Sequence, residues 1–281
     1  MNTALPTSLS WSADTRIAFI GGGNMASAVI GGLLASGLPA AAISVVEPLE
    51  ATRARLAALG VQALPAASDA LRGATLLVWA VKPQHFAAAA QPVAAHIGGA
   101  AQLSLMAGVP CAAIAAATGS DRIVRCMPNM PALIARGASG AYTAADDAAR
   151  QLAGRVLATV GSVLWVEKEK LLDAVTALSG SGPAYVFYFL EAMQRAGESL
   201  GLTDAQARQL AISTFEGSAL LAQQAVDAGD TLAALRERVT SKGGTTQAAL
   251  DVLRAEGVAQ HFEAAMRAAH QRAQELGRAA A

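Results

Sequence analysis

A glycine run near the amino end has the residue types and spacing of a phosphate-binding loop. The run and the residues after it fit the pattern Gly-x-Gly-x-x-Gly/Ala: Gly21, Gly22, Gly23, Asn24, Met25 and Ala26. Gly23 would let the backbone approach a pyrophosphate, and Ala26 would keep a helix close to the preceding strand. Glycines also end strands for structural reasons alone, but this run lies between an apolar segment and a helical one. We therefore expect dinucleotide binding at a helix N-terminus.

Charged residues after the second apolar segment bear on the choice of dinucleotide. Glu47 ends that segment, where an acidic side chain could accept hydrogen bonds from the adenosine ribose and repel a 2′-phosphate, which favours NAD. Arg53 and Arg55 could instead bind a 2′-phosphate, although pairing with Glu50 on a helix surface is the favoured interpretation. The sequence leaves the choice between NADH and NADPH open.

A third group of residues follows the most apolar segment, residues 75–81. Ligands of open α/β folds bind at the carboxyl edge of the sheet, where such a strand would end. The turn there consists of Ala80, Val81, Lys82 and Pro83. Lys82 either caps a cofactor crevice or is a solvated surface lysine.

Two clusters of glycine and hydroxyl residues lie in the second half of the chain, at residues 178–185 and 240–246. Each precedes a predicted helix, so each could be an ordinary N-terminal cap. Such a loop also offers N–H groups and hydroxyls at a positive helix end, which suits a small carboxylate.

The elements that must position these groups follow from hydrophobic periodicity. Short apolar runs alternate with helical segments, and we predict strands at residues 16–20, 43–46, 61–64, 75–81, 102–105, 122–125, 138–143 and 163–166. Near-continuous apolar strands are typical of parallel sheets covered on both faces. Residues 16–166 are therefore predicted to form a doubly wound α/β domain. Residues 1–15 are predicted to be a leader without the features of an export signal.

Residues 167–281 are predicted to be all-helical, because strand signals stop there. The predicted helices span residues 169–178, 183–200, 203–229, 231–239, 246–256 and 258–277. Residues 186–190 have no polar face, so their helix must be central or shared between subunits. We therefore expect a homodimer.

Composition excludes several classes of function. The chain has 281 residues, with 21 Lys and Arg against 21 Asp and Glu, so a long basic groove for nucleic acid is not expected. No run of about 20 strongly apolar residues occurs, so no membrane span is expected. Because the chain has only two cysteines, we expect no disulfide framework, and we expect the protein to lie in the reducing cytoplasm. Metal-ligand spacing and a catalytic triad are absent from the sequence, so the chemistry is expected to come from a cofactor.

Six motifs occur in order along the chain: Ile-Gly-Gly-Gly-Asn-Met at 20–25, Val-Lys-Pro-Gln at 81–84, Ala-Gly-Val at 107–109, Arg-Cys-Met-Pro-Asn at 125–129, Ala-Val-Thr-Ala-Leu-Ser-Gly-Ser-Gly-Pro-Ala-Tyr at 174–185 and Ser-Lys-Gly-Gly-Thr-Thr at 241–246. With them the chain strongly resembles the pyrroline-5-carboxylate reductases. The resemblance implies an oxidoreductase that reduces 1-pyrroline-5-carboxylate to L-proline with NADPH or NADH, the last step of proline biosynthesis. It also implies an N-terminal Rossmann domain and a C-terminal helical domain that interlocks in a homodimer, often within a decamer.

The resemblance also implies site residues. The expected cofactor contacts are Gly21, Gly22, Gly23, Asn24, Met25, Ala26, Glu47, Ala80, Val81, Lys82, Pro83, Leu105, Met106 and Ala107. The expected substrate contacts are Glu169, Ser241, Gly244, Thr245 and Thr246. By the same resemblance, the helix starting near Thr246 receives the substrate carboxylate. The resemblance also implies that the Thr246 hydroxyl bonds to the ring nitrogen, as an orienting group and proton relay.

Three positions depart from the family pattern. Lys242 stands where the substrate loop usually has proline, and Met130 stands where the family has threonine after Met-Pro-Asn. Ala67 stands where the family often has an adenine-contacting asparagine.

Two other functions are weighed against this one. A β-hydroxyacid dehydrogenase would have a lysine in the helix after its glycine-rich motif, and residues 185–192 contain none. A non-catalytic dinucleotide sensor could share the fold, but a sensor has no need of a carboxylate-binding loop.

Overall fold

The computed structural model describes residues 10–279. Contacts divide them into two compact units, residues 10–181 with 269–279, and Gly182–Ala268. This division falls later in the chain than the predicted boundary between residues 166 and 167. Of the predicted leader, residues 1–9 lie outside the described part. Trp11, by contrast, donates a hydrogen bond from Nε1 to Ser36 Oγ at 3.1 Å, so the packed part of the chain begins before Arg16.

The first unit is built on a sheet that has eight strands within the described residues: β1 Ile17–Ile20, β2 Ile43–Val46, β3 Gln62–Leu64, β4 Leu76–Trp79, β5 Ala101–Ser104, β6 Ile123–Met127, β7 Gly137–Thr143 and β8 Gly161–Trp165. Their order across the sheet is β3-β2-β1-β4-β5-β6-β7-β8. Neighbouring strands from β3 to β6 pair in parallel. The predicted α/β fold class is confirmed.

The far edge of the sheet reverses direction. β7 runs antiparallel to β6, and β8 runs parallel to β7. Only residues 128–136 connect β6 to β7, and a parallel crossover needs a dozen residues or more. The short connection therefore requires the antiparallel pairing.

Helices cover both faces of this sheet: α1 Asn24–Ala35, α2 Glu50–Ala57, α3 Phe86–Val93, α4 Cys111–Thr118, α5 Asp147–Ala158 and α6 Leu171–Val175. Successive residues of β1 point to opposite faces. Phe19 joins the core under α1 and α5, and Ile20 joins the core under α3 and α4. In the second core, Trp79 packs edge-on against Phe86 with ring centroids 5.1 Å apart. This double burial explains why β1 and β4 have no polar face.

The helix predicted at residues 169–178 is partly different in the structure. α6 ends at Val175, and Thr176–Gly180 winds as a π-helical turn. The N–H of Ser181 donates to the carbonyl of Thr176 at 2.8 Å, five residues back. Such turns occur frequently at functional sites.

The second unit is helical, with α7 Gly182–Ser199, α8 Asp204–Asp227, α9 Leu232–Arg238, α10 Thr245–Ala255 and the part of α11 Val258–Ala279 up to residue 268. Each helix begins and ends within two residues of its predicted bounds. α8 begins at a capping box in which Thr203 and Gln206 exchange hydrogen bonds. Across residues 10–279, no helix has both the length and the apolar character needed to cross a membrane.

The apolar helix α7 is not central in this chain. Phe187 is 51% exposed and Tyr188 is 66% exposed. Tyr185 and Phe189 pack instead against Phe262 of α11. Of the two alternatives left by the sequence, the exposure favours a helix shared between subunits.

Candidate active site

The segments after four neighbouring strands emerge at one edge of the sheet. The register pairs Ile20 with Val46 and with Trp79, and it pairs Trp79 with Ser104. Each of these residues ends its strand. The structure therefore brings together the segments in which the sequence predicts cofactor contacts: residues 21–26, Glu47, residues 80–83 and residues 105–107. This carboxyl edge is where open α/β folds bind their ligands.

The three glycines of the loop after β1 have different surroundings. Gly21 has a φ of +98°, and a Cβ there would lie 2.7 Å from the carbonyl oxygen of Ala80. A Cβ on Gly22 would lie 3.0 Å from Thr52 Cγ2 of α2. Around a Cβ placed on Gly23, no atom of the described residues lies within 4 Å. The first two glycines thus allow close packing, whereas Gly23 leaves open space in front of the backbone.

Helix α1 begins at this open space. Its N-cap is Gly23, and within the described residues no side chain caps it and no acidic residue lies in its first turn. Asn24 is exposed, Met25 is half-buried and Ala26 is fully buried against the sheet. The uncapped N–H groups and the positive helix end fit a phosphate group.

Glu47 is held by backbone groups at the end of β2. Its Oε2 accepts a hydrogen bond from the N–H of Gly22 at 2.8 Å, and its Oε1 accepts one from the N–H of Leu49 at 2.9 Å. The residue is 7% exposed. Its carboxylate therefore ties the glycine loop to the turn that follows β2.

Two arginines of α2 lie beside this turn. Arg53 Nη1 donates to the carbonyl oxygens of Glu47 at 3.0 Å and Pro48 at 2.6 Å. Arg55 Nη2 donates to Ser27 Oγ at 3.4 Å. The pairing with Glu50 that the sequence favours is not found among the described residues. Arg53 binds the turn after β2 instead, and Arg55 binds Ser27 of α1.

The turns after β4 and β5 complete the edge. Lys82 is exposed and precedes a short 3₁₀ turn, Pro83–His85, while Ala80 and Val81 are half-buried. After β5, Leu105 is half-buried, Met106 is buried and Ala107 is exposed. The exposed positions of both turns border the edge at which the glycine loop lies.

Glu169 lies in a polar cluster that sequence reasoning missed. Its Oε1 accepts hydrogen bonds from Arg125 Nη1 and from the N–H of Cys111, each at 2.8 Å. Arg125 is 8% exposed on β6, and Cys111 is the first residue of α4. The sequence feature that could have indicated this cluster is the arginine within the apolar strand Ile123–Met127. Because a buried cation needs an anion nearby, Glu169 is the partner that β6 requires.

Both thiols of the chain are poor nucleophiles. Burial, followed by the neighbouring Glu169 carboxylate, raises the pKa of the Cys111 thiol to about 12. Burial also raises the pKa of the Cys126 thiol to about 12. Both side chains are thiols rather than thiolates at neutral pH. Residues 10–279 also contain no group of three or more His, Cys, Asp or Glu side chains that could hold a metal ion.

A second network joins two of the sequence motifs. Asn129 Nδ2 donates to Ser179 Oγ at 3.1 Å, and its Oδ1 accepts from the N–H of Ala138 at 2.9 Å. Ser179 Oγ donates to the carbonyl of Ala138 at 2.7 Å. A Cβ on Gly180 would clash with Met127 Cε. Asn129, Ser179 and Gly180 thus fix the π-helical turn against β6 and β7, a role that sequence reasoning did not assign to them.

In the second unit, the predicted substrate loop forms the start of α10. Gly244 is the N-cap, and its N–H donates to the carbonyl of Ser241 at 3.0 Å. Within the described residues no side chain caps this helix, and its first turn contains no acidic residue. Thr245 is exposed and Thr246 is half-buried in that turn. The structure thus brings Ser241, Gly244, Thr245 and Thr246 together at a free helix N-terminus, which suits a carboxylate.

Both units are similar in sequence to known protein families. Residues 169–276 match the family described as pyrroline-5-carboxylate reductase dimerisation, and residues 16–108 match NADP oxidoreductase, coenzyme F420-dependent. The chain is 44% identical over 266 residues to a pyrroline-5-carboxylate reductase of Pseudomonas aeruginosa, covering 93% of this chain and 96% of that relative. The chain belongs to the pyrroline-5-carboxylate reductase family.

Other pyrroline-5-carboxylate reductases are similar over nearly the same length. The chain is 40% identical over 264 residues to the reductase of Haemophilus influenzae, covering 92% of this chain and 97% of that relative. A solved structure of the reductase from Coxiella burnetii has a TM-score of 0.87 at 34% identity, covering 94% of this chain and 98% of that one. The family assignment thus applies to both units.

The structure also places the three departures from the pyrroline-5-carboxylate reductase pattern. Lys242 is exposed in the loop before α10. Met130 is 57% exposed at the start of a 3₁₀ turn directly after Asn129. Ala67 is half-buried and packs against the core under α3 and α4. Lys242 thus presents an exposed positive charge before α10, whereas Ala67 has no polar side-chain group that could contact an adenine ring.

Proposed function

We propose that this chain is an oxidoreductase that reduces 1-pyrroline-5-carboxylate to L-proline with NADPH or NADH, the last step of proline biosynthesis. The observation that carries the proposal is the convergence of four predicted cofactor segments at one sheet edge, in a chain 44% identical to a pyrroline-5-carboxylate reductase. We assign the cofactor to residues 16–166, and substrate binding and dimerisation to residues 167–281.

When bound, the reduced nicotinamide would supply a hydride for the imine carbon, and the amine would be completed by one proton from water at the ring nitrogen. The uncapped start of α1 binds the pyrophosphate through its N–H groups, and Gly23 leaves room for the backbone to approach it. The N-terminus of α10 binds the substrate carboxylate, with Lys242 adding a positive charge. Thr246 orients the ring nitrogen and relays its proton. Much of the acceleration comes from holding the two reactants in the reacting geometry.

Glu169 is assigned to the substrate site by family resemblance, and its bond to Arg125 supports a fixed position for its carboxylate. Ser241, Gly244 and Thr245 are assigned to the same substrate. Their proximity to Thr246 at the start of α10 supports this assignment.

Self-association is part of the proposal. The match of residues 169–276 to a reductase dimerisation family and the exposure of Phe187 and Tyr188 support a homodimer. Its further assembly into a decamer is proposed from the family resemblance alone. We place the enzyme in the cytoplasm, since its two cysteines are both free. We propose no nucleic-acid or membrane partner.

The experiment that tests the function is oxidation of NADPH or NADH by the purified protein with 1-pyrroline-5-carboxylate, followed at 340 nm together with proline formation. We expect stoichiometric proline with at least one nucleotide. If folded protein binds a nucleotide but shows no turnover, the proposed substrate is wrong. Reduction of another cyclic imine, or a role as a dinucleotide sensor, would then be favoured.

A further inference from the structure

The last turns of α11 belong to the unit that contains the sheet. Residues 269–279 of this helix group with the first unit, whereas its residues up to 268 group with the second. Ala269, Ala273 and Gly277 are four residues apart, so they lie on one face of the helix. Ala273 is 8% exposed, and the other two residues are half-buried. A face of such small residues allows the backbone of α11 to approach a neighbouring segment closely.

The segment that Gly277 meets is the turn after β5. Gly108 in this turn has a φ of +78°, which favours glycine, and a Cβ there would lie 3.3 Å from the backbone nitrogen of Gly277. A Cβ on Gly277 would in turn lie 3.4 Å from the carbonyl oxygen of Gly108. The two backbones are therefore in contact without a side chain between them. Glycine weakens a helix interior, and this contact gives its presence at position 277 a structural reason.

Other contacts fix the turn on both sides of this point. Met106 and Val109 are buried in the core under α3 and α4. At the start of α4, the N–H of Cys111 donates to Glu169 Oε1 at 2.8 Å. Ala107 is exposed between the two buried residues. The end of α11 thus contacts the turn directly after the residue that faces the open edge of the sheet.

The turn after β5 belongs to the nicotinamide side of the predicted cofactor crevice. In this fold a dinucleotide binds across the point where the strand order reverses, and its adenosine ribose lies at the end of the second strand. Here the order is β3-β2-β1-β4-β5, so the reversal falls between β1 and β4. β5 lies on the side of this reversal away from β2. A dinucleotide bound at this edge would therefore have its nicotinamide half on the side of Ala107.

We propose that the end of α11 positions the nicotinamide half of the cofactor, and that Gly277 holds Ala107 in place through its backbone contact with Gly108. Gly277 is a positioning residue, because it acts through the turn. Close-packed segments transmit a displacement, since little free space remains between them. A bulkier residue at position 277 would therefore shift the turn. The inference rests on the proposed use of a nicotinamide dinucleotide, and it adds a part of the chain that the cofactor motifs do not include.

Calorimetry tests the inference without turnover. Dissociation constants for NADPH, NADH, 2′,5′-ADP and 5′-AMP are measured for the wild type, Gly277→Val and Gly31→Val. Gly277→Val should weaken binding of the dinucleotides about fivefold or more. Its affinity for 2′,5′-ADP and 5′-AMP should stay unchanged, because these ligands lack the nicotinamide half. Gly31→Val is the matched control, since a Cβ on this glycine of α1 would meet no atom of residues 10–279 within 4 Å.

Fluorescence of the bound reduced nicotinamide adds a readout that a purely structural role would not change. In Gly277→Val the emission of bound NADPH or NADH should shift towards that of the free nucleotide, whereas in Gly31→Val it should match the wild type. Equal weakening of dinucleotide and 5′-AMP binding would overturn the inference, because the end of α11 would then support the whole crevice. Unchanged binding of every ligand by Gly277→Val would overturn it too.

A second variant keeps the test valid if Gly277→Val does not fold. Gly277→Pro breaks only the last turn of α11, so the rest of the helix is retained. It should show the same selective loss of dinucleotide affinity. Folded wild-type protein that binds neither dinucleotide would overturn both this inference and the proposed function. Dinucleotide binding without reduction of 1-pyrroline-5-carboxylate would overturn the proposed function alone.

Discussion

Arg125 Nη1 lies 2.8 Å from Glu169 Oε1, and this bond connects β6 to the segment before α6. Arg125 is 9% exposed at its side chain and Glu169 is 27% exposed, so the pair is shielded on the arginine side and open on the other. The open side of Glu169 is the part that a ligand could reach. The pair therefore has a structural role that is separable from substrate binding.

Glu169→Gln should destabilise the protein, because it leaves the buried Arg125 without a countercharge. We expect a loss of about 1–2 kcal/mol in the free energy of unfolding, reduced from the full cost of a buried pair because Glu169 is partly solvated. Urea denaturation measures it. Glu167→Gln, at an exposed acidic position two residues earlier, is the control and should change nothing. Equal stability of the two variants would contradict the structural role.

The two thiols predict how stability depends on pH. Burial raises the pKa of Cys111 and Cys126 to about 12 from a value of 9.0, so each thiol stays neutral in the folded chain while it ionises in the unfolded chain. Their contribution is fully present below pH 9.0 and is lost as pH rises towards about 12. Stability should fall by about 1.4 kcal/mol per pH unit within that window for the buried Cys126 thiol, and by less for Cys111, which is partly exposed to solvent.

Urea denaturation between pH 8 and pH 10.5 checks this slope in the wild type and in Cys126→Ala. The variant should have a shallower slope, because one ionising thiol is gone from its unfolded state. Parallel slopes would show that other groups cause the dependence.

Thr246→Val should lower kcat and leave the affinity for NADPH and NADH unchanged. The hydroxyl is assigned to the substrate nitrogen, and the predicted cofactor segments lie in residues 21–107. We expect a loss of about a hundredfold in kcat, the lower end of the range for one general acid–base group. Thr246→Ser keeps the hydroxyl and should restore most of the activity. A cofactor dissociation constant that worsens together with kcat would count against the assignment.

Gly180→Ala should destabilise the π-helical turn, since the added Cβ would meet Met127 Cε. Forcing a methyl group into packed space costs about 1–3 kcal/mol. Met127→Ala in the same chain removes the clash, so the double variant should lose less than the sum of the two single losses. Thermal unfolding of all four proteins gives the coupling free energy, and strict additivity would show that the two residues do not meet.

Exposed apolar side chains on α7 predict that the folded protein is not a monomer. Sedimentation equilibrium at micromolar concentration should show no folded monomer. Tyr188→Glu places a charge on this surface and should weaken association, whereas Glu191→Gln at an exposed position of the same helix should not. A stable wild-type monomer would contradict the prediction, because the exposure of Phe187 and Tyr188 would then not reflect a subunit interface.

The local sequence determined most of the secondary structure. Hydrophobic periodicity predicts the strands and helices because each pattern is read within about a dozen neighbouring residues. The glycine loop is equally local, since Gly21, Gly23 and Ala26 lie within one strand–helix turn. The carboxyl-edge position of that loop and of Lys82 follows from the same rule, because parallel strands end at one edge.

Tertiary structure alone decided how these local pieces are used. Arg125 and Glu169 are 44 positions apart, and Gly22 and Glu47 are 25 apart, so no local pattern shows that their atoms meet. Glu47 has the position of a ribose-binding residue in the sequence, yet packing gives its oxygens to two backbone N–H groups. The physical reason is that a buried polar group must find a partner, and the fold as a whole determines which partner is within reach.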